Sequence, residues 1–118
     1  MSSDVRIVIH FKDLEVDEPL RDHMHARCEH LAAEFPEAMS FEVTVEKSPH
    51  SVDCHGHVSG KRTRTAAHTS GQETARHACD AFFEKLEREL RTDHDKRIFG
   101  QRRKAQKNRH EIDEEAEN

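Results

Sequence analysis

The 118 residues suffice for one domain, and with 33% hydrophobic residues, six Phe and neither Trp nor Tyr, its core must be small. The net charge of −5 hides three blocks: residues 1–60 carry 5 Lys/Arg against 12 Asp/Glu, residues 61–110 carry 14 against 7, and residues 111–118 carry none against 5. No stretch approaches a membrane span, and four glycines leave little material for a phosphate-cradling loop, so an integral membrane protein and a nucleotide hydrolase are both disfavoured.

In chain order, Val5, Ile7, Ile9 and Phe11 alternate with polar residues and predict a first strand. Asp17 ahead of Glu18-Pro19 is a good helix cap with a proline in the first turn. Leu20, Met24, Cys28, Leu31 and Phe35 then recur at spacings of 4, 4, 3 and 4, one stripe of a helix that must end before Pro36. Phe41, Val43 and Val45 alternate with Glu42, Thr44 and Glu46, giving a second strand. Ser48-Pro49-His50 is turn material, and Val52, Cys54, Gly56 and Val58 mark the inner face of a third. Gly60-Lys61 turns the chain into a weaker fourth strand over Arg62–Thr69. Ser70-Gly71-Gln72-Glu73 is then expected to open the second helix, whose stripe is Ala75, Cys79, Phe82, Leu86 and Leu90 with Phe83 beside it. Helical patterning fades after about Arg91.

The order β-α-β-β-β-α predicts an α+β domain over residues 1–99. A helical crossover makes the first two strands parallel, short turns make the rest antiparallel, and both helices pack on one face of a four-stranded sheet. Residues 100–118 have almost nothing apolar to bury, and a disordered, basic-then-acidic tail is expected there. The three cysteines are an odd number in no metal-like cluster and suit a reducing compartment. Met1–Ser3 begin no apolar leader, so the cytoplasm is the expected location.

The basic half carries the functional signal. On a wheel of the second helix, Lys85, Arg88 and Thr92 share one edge of the buried stripe, whereas Glu73, Asp80, Glu84 and Glu87 lie toward the other. Arg91, Lys96 and Arg97 prolong the basic edge, Arg102 to Arg109 continue it into the tail, and Lys61, Arg62 and Arg64 widen it. Such a footprint suits a phosphate backbone. The alternatives are a solvated charged face and cations that complement the helix C-terminus. Of the eleven histidines, His55 and His57 share a strand face while Cys54 points the other way, so no metal site is expected. No nucleophile motif or paired catalytic carboxylates occur, so neither an enzyme nor a cofactor is expected.

The run Val-Thr-Val-Glu-Lys-Ser-Pro-His (43–50), then Asp53 and His57-Val58-x-Gly60, resembles the central strands of the bacterial ribosome hibernation-promoting factors. Gly71-Gln72-Glu73 and Lys85-Leu86-Glu87-Arg88-Glu89-Leu90 do so as well, and the related ribosome-associated inhibitor A (protein Y) type is similar throughout residues 4–99. The resemblance implies a short family member, without the C-terminal dimerisation domain of the long type. It would bind the small (30S) ribosomal subunit and its 16S rRNA in the channel for messenger and transfer RNA, during stationary phase or stress. Ribosomal proteins are further contacts it allows. The family's basic positions fall here on Lys85, Arg88, Arg21, Arg27 and Lys47. Its next lysine falls on Thr92, with Arg91 adjacent, and His30 stands where lysine is usual. The central strands resemble the factor that pairs ribosomes together with a ribosome modulation factor. The charged end resembles the type that holds single inactive ribosomes. Two other readings stay open: a general RNA-binding module, and a regulator that binds a protein such as a transcription factor.

Overall fold

A computed structural model of the chain describes residues 5–109, with side chains described for residues 5–96. The elements are β1 (Arg6–Lys12), α1 (Glu18–Glu34), β2 (Ala38–Lys47), β3 (Val52–Gly60), β4 (Thr63–Gln72) and α2 (Ala75–Arg109). They form one four-stranded sheet in the order β1-β2-β3-β4, with β1 parallel to β2 and the other two pairs antiparallel. The predicted α+β order and strand directions are those of the structure.

Local chemistry sets the element ends. The Asp17 carboxylate accepts the Leu20 backbone N–H at 3.0 Å, capping α1 with Pro19 in its first turn. Beyond the last turn, Phe35 donates its N–H to the Leu31 carbonyl, and Pro36 prevents continuation. Leu20, Met24, Cys28, Leu31 and Phe35 are all buried, as their spacing requires. They join Phe41, Val43, Val45, Cys54 and Val58 from the sheet and Ala78, Cys79, Phe82, Phe83, Leu86 and Leu90 from α2 in one core. Both helices therefore cover the same face, α1 over β1 and β2, α2 mainly over β4 and β3.

Gly56 lies beneath Phe82 of α2. A Cβ there would overlap the Glu42 carbonyl and stand 2.9 Å from Val43 Cα and 3.1 Å from Phe82 Cζ, so the Phe82 ring occupies the space a side chain would need.

Three boundaries differ from expectation. β4 runs on to Gln72 instead of stopping at Thr69, because a register shift between Val52 and Cys54 lets Val52 pair with Gln72. Gly71, at φ +74°, donates its N–H to Asp53 Oδ1 at 3.2 Å. Asp53 also accepts the Ser48 and Ser51 hydroxyls at 3.0 and 3.5 Å, so one carboxylate joins the β2–β3 loop to the end of β4. The opener of α2 is consequently Thr74, whose Oγ1 accepts the His77 N–H at 3.1 Å, and not Ser70–Glu73. At its other end α2 outruns the fading of its apolar stripe. Residues 100–109, expected as tail, continue its backbone helix, and Arg, Lys, Gln and Ala there are strong helix formers. Residues 110–118 lie outside the described residues.

Candidate nucleic-acid interface

The edge strand β4 and the flank of α2 above it carry the basic edge read from the helix wheel. Lys85 Nζ donates to the His68 carbonyl at 3.0 Å, which pins that side chain over β4. Two turns later Thr63 and Thr65 donate to Asp93 Oδ2 at 3.3 and 3.2 Å, fixing α2 along the strand. Between these tethers Arg88 is exposed, and one turn past the second so is Lys96; neither has an ion-pair partner among the described residues. The two-residue β3–β4 turn, Lys61-Arg62, joins the strands at the Asp93 end, with Arg62 at φ 56°. Lys85, Arg88, Lys96 and Arg62 thus follow one edge, over about 17 Å between Lys85 and Lys96 at the helical rise. Glu89, exposed and one turn after Lys85, interrupts the row; the wheel reading did not assign it.

The other predicted residues go elsewhere. Arg27 and Arg91 face the seam between the helices. Arg27 lies over the Phe83 ring at 5.2 Å, and Arg91 lies over Phe35 at 5.4 Å. Arg91 also donates to Glu34 at 2.7 Å and to Glu87 at 2.8 Å, and these carboxylates favour its charged form, Glu34 first. Its charge is therefore already matched, unlike that of Arg88. The rest of the seam is paired too: His23 with Asp80 at 3.4 Å, Arg76 with Asp80 at 3.2 Å and His94 with Glu37 at 2.9 Å. Arg21 stands apart, exposed on α1, and Lys47 ends β2 with its Nζ on the Ser48 carbonyl at 3.0 Å. Arg64 is on β4 but projects to the open side of the sheet. Arg97 lies on α2 at a position whose side chain is outside those described.

The open face holds an arrangement that one strand at a time cannot reveal. Register sets His10, Thr44, His55 and His68 in one row across the four strands, and Val8, Glu42, His57 and Ala66 in the next. Glu42 stands 3.3 Å from His10 Nε2 and 3.6 Å from His57 Nε2, while the rings of His55 and His68 lie 6.1 Å apart. Among the described residues no group of three or more His, Cys, Asp or Glu is arranged to hold a metal ion, and no helix is long and apolar enough to cross a membrane.

The cysteines are core atoms. Cys28, Cys54 and Cys79 are free and fully buried, and Cys79 Sγ meets Met24 Sδ at 3.4 Å. Burial pushes the Cys28 thiol up to about 12, and a hydrogen bond with Cys79 together with burial raises Cys54 well above the usual thiol range.

The family described as Sigma 54 modulation protein / S30EA ribosomal protein matches residues 7–98. Among solved structures the fold is similar to a ribosomal subunit interface protein from Coxiella burnetii. The TM-score is 0.70 at 12% identity, over 77% of this chain and 99% of that one. It is similar also to the N-terminal domain of Protein Y from Thermus thermophilus, with a TM-score of 0.63 at 14% identity, over 73% and 96% of the two chains. At these identities the likeness is one of fold. No curated protein matches by sequence.

Proposed function

The chain belongs to the Sigma 54 modulation protein / S30EA ribosomal protein family, and on that premise we propose that it is a ribosome hibernation factor. In this reading it binds the small ribosomal subunit in the channel for messenger and transfer RNA, under stationary phase or stress, and so inhibits translation and protects idle ribosomes. The observation that carries the reading is the Lys85–Arg88–Lys96 edge, whose cations have no carboxylate partner among the described residues while those of the helix seam do. An edge of this kind supplies affinity for a dense phosphate array without reading bases. Of the six phenylalanines, Phe35, Phe41, Phe82 and Phe83 are fully buried and Phe11 packs against the core, which supports recognition by shape and phosphate placement over base stacking.

Salt dependence tests the reading. Three to four phosphate contacts predict that log K for small ribosomal subunits falls against log salt with a slope of about −2 to −3.6. A flat response would mean an apolar protein interface and defeat the proposal. The family description also names sigma 54 modulation, which favours one second reading: a regulator that captures a transcription factor. A pull-down with and without nuclease separates the two, since capture through RNA disappears on digestion and capture of a protein does not.

A further inference from the structure

The histidines of the open face fall into two electrostatic groups. His10 and His57 flank Glu42, so when they gain protons their charge is balanced by that carboxylate. Among the described residues His55 and His68, opposite each other on β3 and β4, have no such partner. The carboxylates nearest this pair are all engaged. Glu42 faces His10 and His57; Glu46, diagonal to His55 on β2, is 3.8 Å from Lys12. Asp53, two residues before His55, accepts Ser48, Ser51 and the Gly71 N–H. Around His68 the same face carries Arg64, Ala66 and Ser70, which add a cation and no acid.

This pair is continuous with the basic edge. His68 offers its backbone carbonyl to Lys85 Nζ on the helix side of β4 and its imidazole to the open side. β4 is the edge strand, so among the described residues no further strand bars the way from one side to the other. We propose that the RNA interface wraps round β4 onto the open sheet face, where protonated His55 and His68 hold an RNA phosphate, with Arg64 on the same strand. The proposal rests on the reading that the Lys85/Arg88 edge binds ribosomal RNA, and deepens it by adding an acid-gated contact. Imidazole as a class titrates near physiological pH. Two adjacent imidazolium groups repel, and a phosphate between them removes the repulsion, so protonation and phosphate binding promote each other.

The test compares salt dependence at pH 7.5 and at about pH 6 for small ribosomal subunits. It uses the full chain and two double variants, H55Q/H68Q and H10Q/H57Q, each verified as folded by circular dichroism. For the unaltered chain, the one added phosphate contact should steepen the slope of log K against log salt by about 0.7 to 0.9 at the lower pH. H55Q/H68Q should lose the steepening, whereas H10Q/H57Q should keep it. Full steepening in H55Q/H68Q, or its loss in H10Q/H57Q, overturns the assignment. Absence of binding by the unaltered chain at pH 7.5 would instead refute the ribosome reading itself.

Discussion

Cys28 on α1, Cys54 on β3 and Cys79 on α2 report the docking of both helices onto the sheet, because each becomes accessible only if a helix lifts away from the sheet. The perturbation is a thiol-specific alkylating reagent applied to the folded protein near pH 8. The thiolate is the reactive species, and burial moves Cys28 from 9.0 to about 12. Its thiolate fraction then falls by roughly a thousandfold relative to an unfolded chain, before any steric exclusion is counted. Protection factors of at least about 10³ are expected at Cys28, read by mass spectrometry over time, with full labelling once denaturant is added. The same shift fixes a pH dependence. The folded value lies above the unfolded one, so the stabilisation is complete below about pH 9 and is lost as pH rises toward 12. The loss from Cys28 approaches about 4 kcal/mol over that window. Labelling of folded protein at the rate of a free thiol, or stability unchanged across the window, would refute the three-element core.

Gly56→Ala should cost about 1–3 kcal/mol, since its Cβ must displace β2 backbone and the Phe82 ring; a denaturant midpoint equal to the parent's would contradict that close approach. Asp93→Ala leaves the nearly buried Thr63 and Thr65 hydroxyls without their acceptor and should lose about 1–3 kcal/mol. Hydrogen exchange should then rise first along β4, and uniform exchange across the sheet would argue that the tether is not local.

Much of this fold is written in short-range pattern. The spacing from Leu20 to Phe35, bracketed by Asp17 and Pro36, specifies α1 and its buried face without reference to anything distant. The alternation in β2 and β3 specifies their inner residues equally well. The end of β4 is another matter, because it depends on Asp53 reaching Gly71 eighteen residues away, and Gly71 in isolation reads as a helix opener. The basic edge was legible because Lys85 and Arg88 are one turn apart on a single helix. The seam was only half legible: Glu87–Arg91 is an i,i+4 pair, but Glu34 joins it from another helix, and that second carboxylate separates Arg91 from Arg88. The pairing of His55 with His68, and of His10 and His57 with Glu42, required the strand register, which no single segment encodes.

Co-sedimentation of the K85E/R88E double variant with small ribosomal subunits asks whether the basic edge is what meets the ribosome. Both side chains are exposed beside the core stripe, so the variant should fold as the parent does while reversing the charge of the edge. Binding is predicted to weaken at least about tenfold, equivalent to about 1.4 kcal/mol. Unchanged co-sedimentation of the folded variant would contradict the account, because the edge would then not be the surface that meets the ribosome.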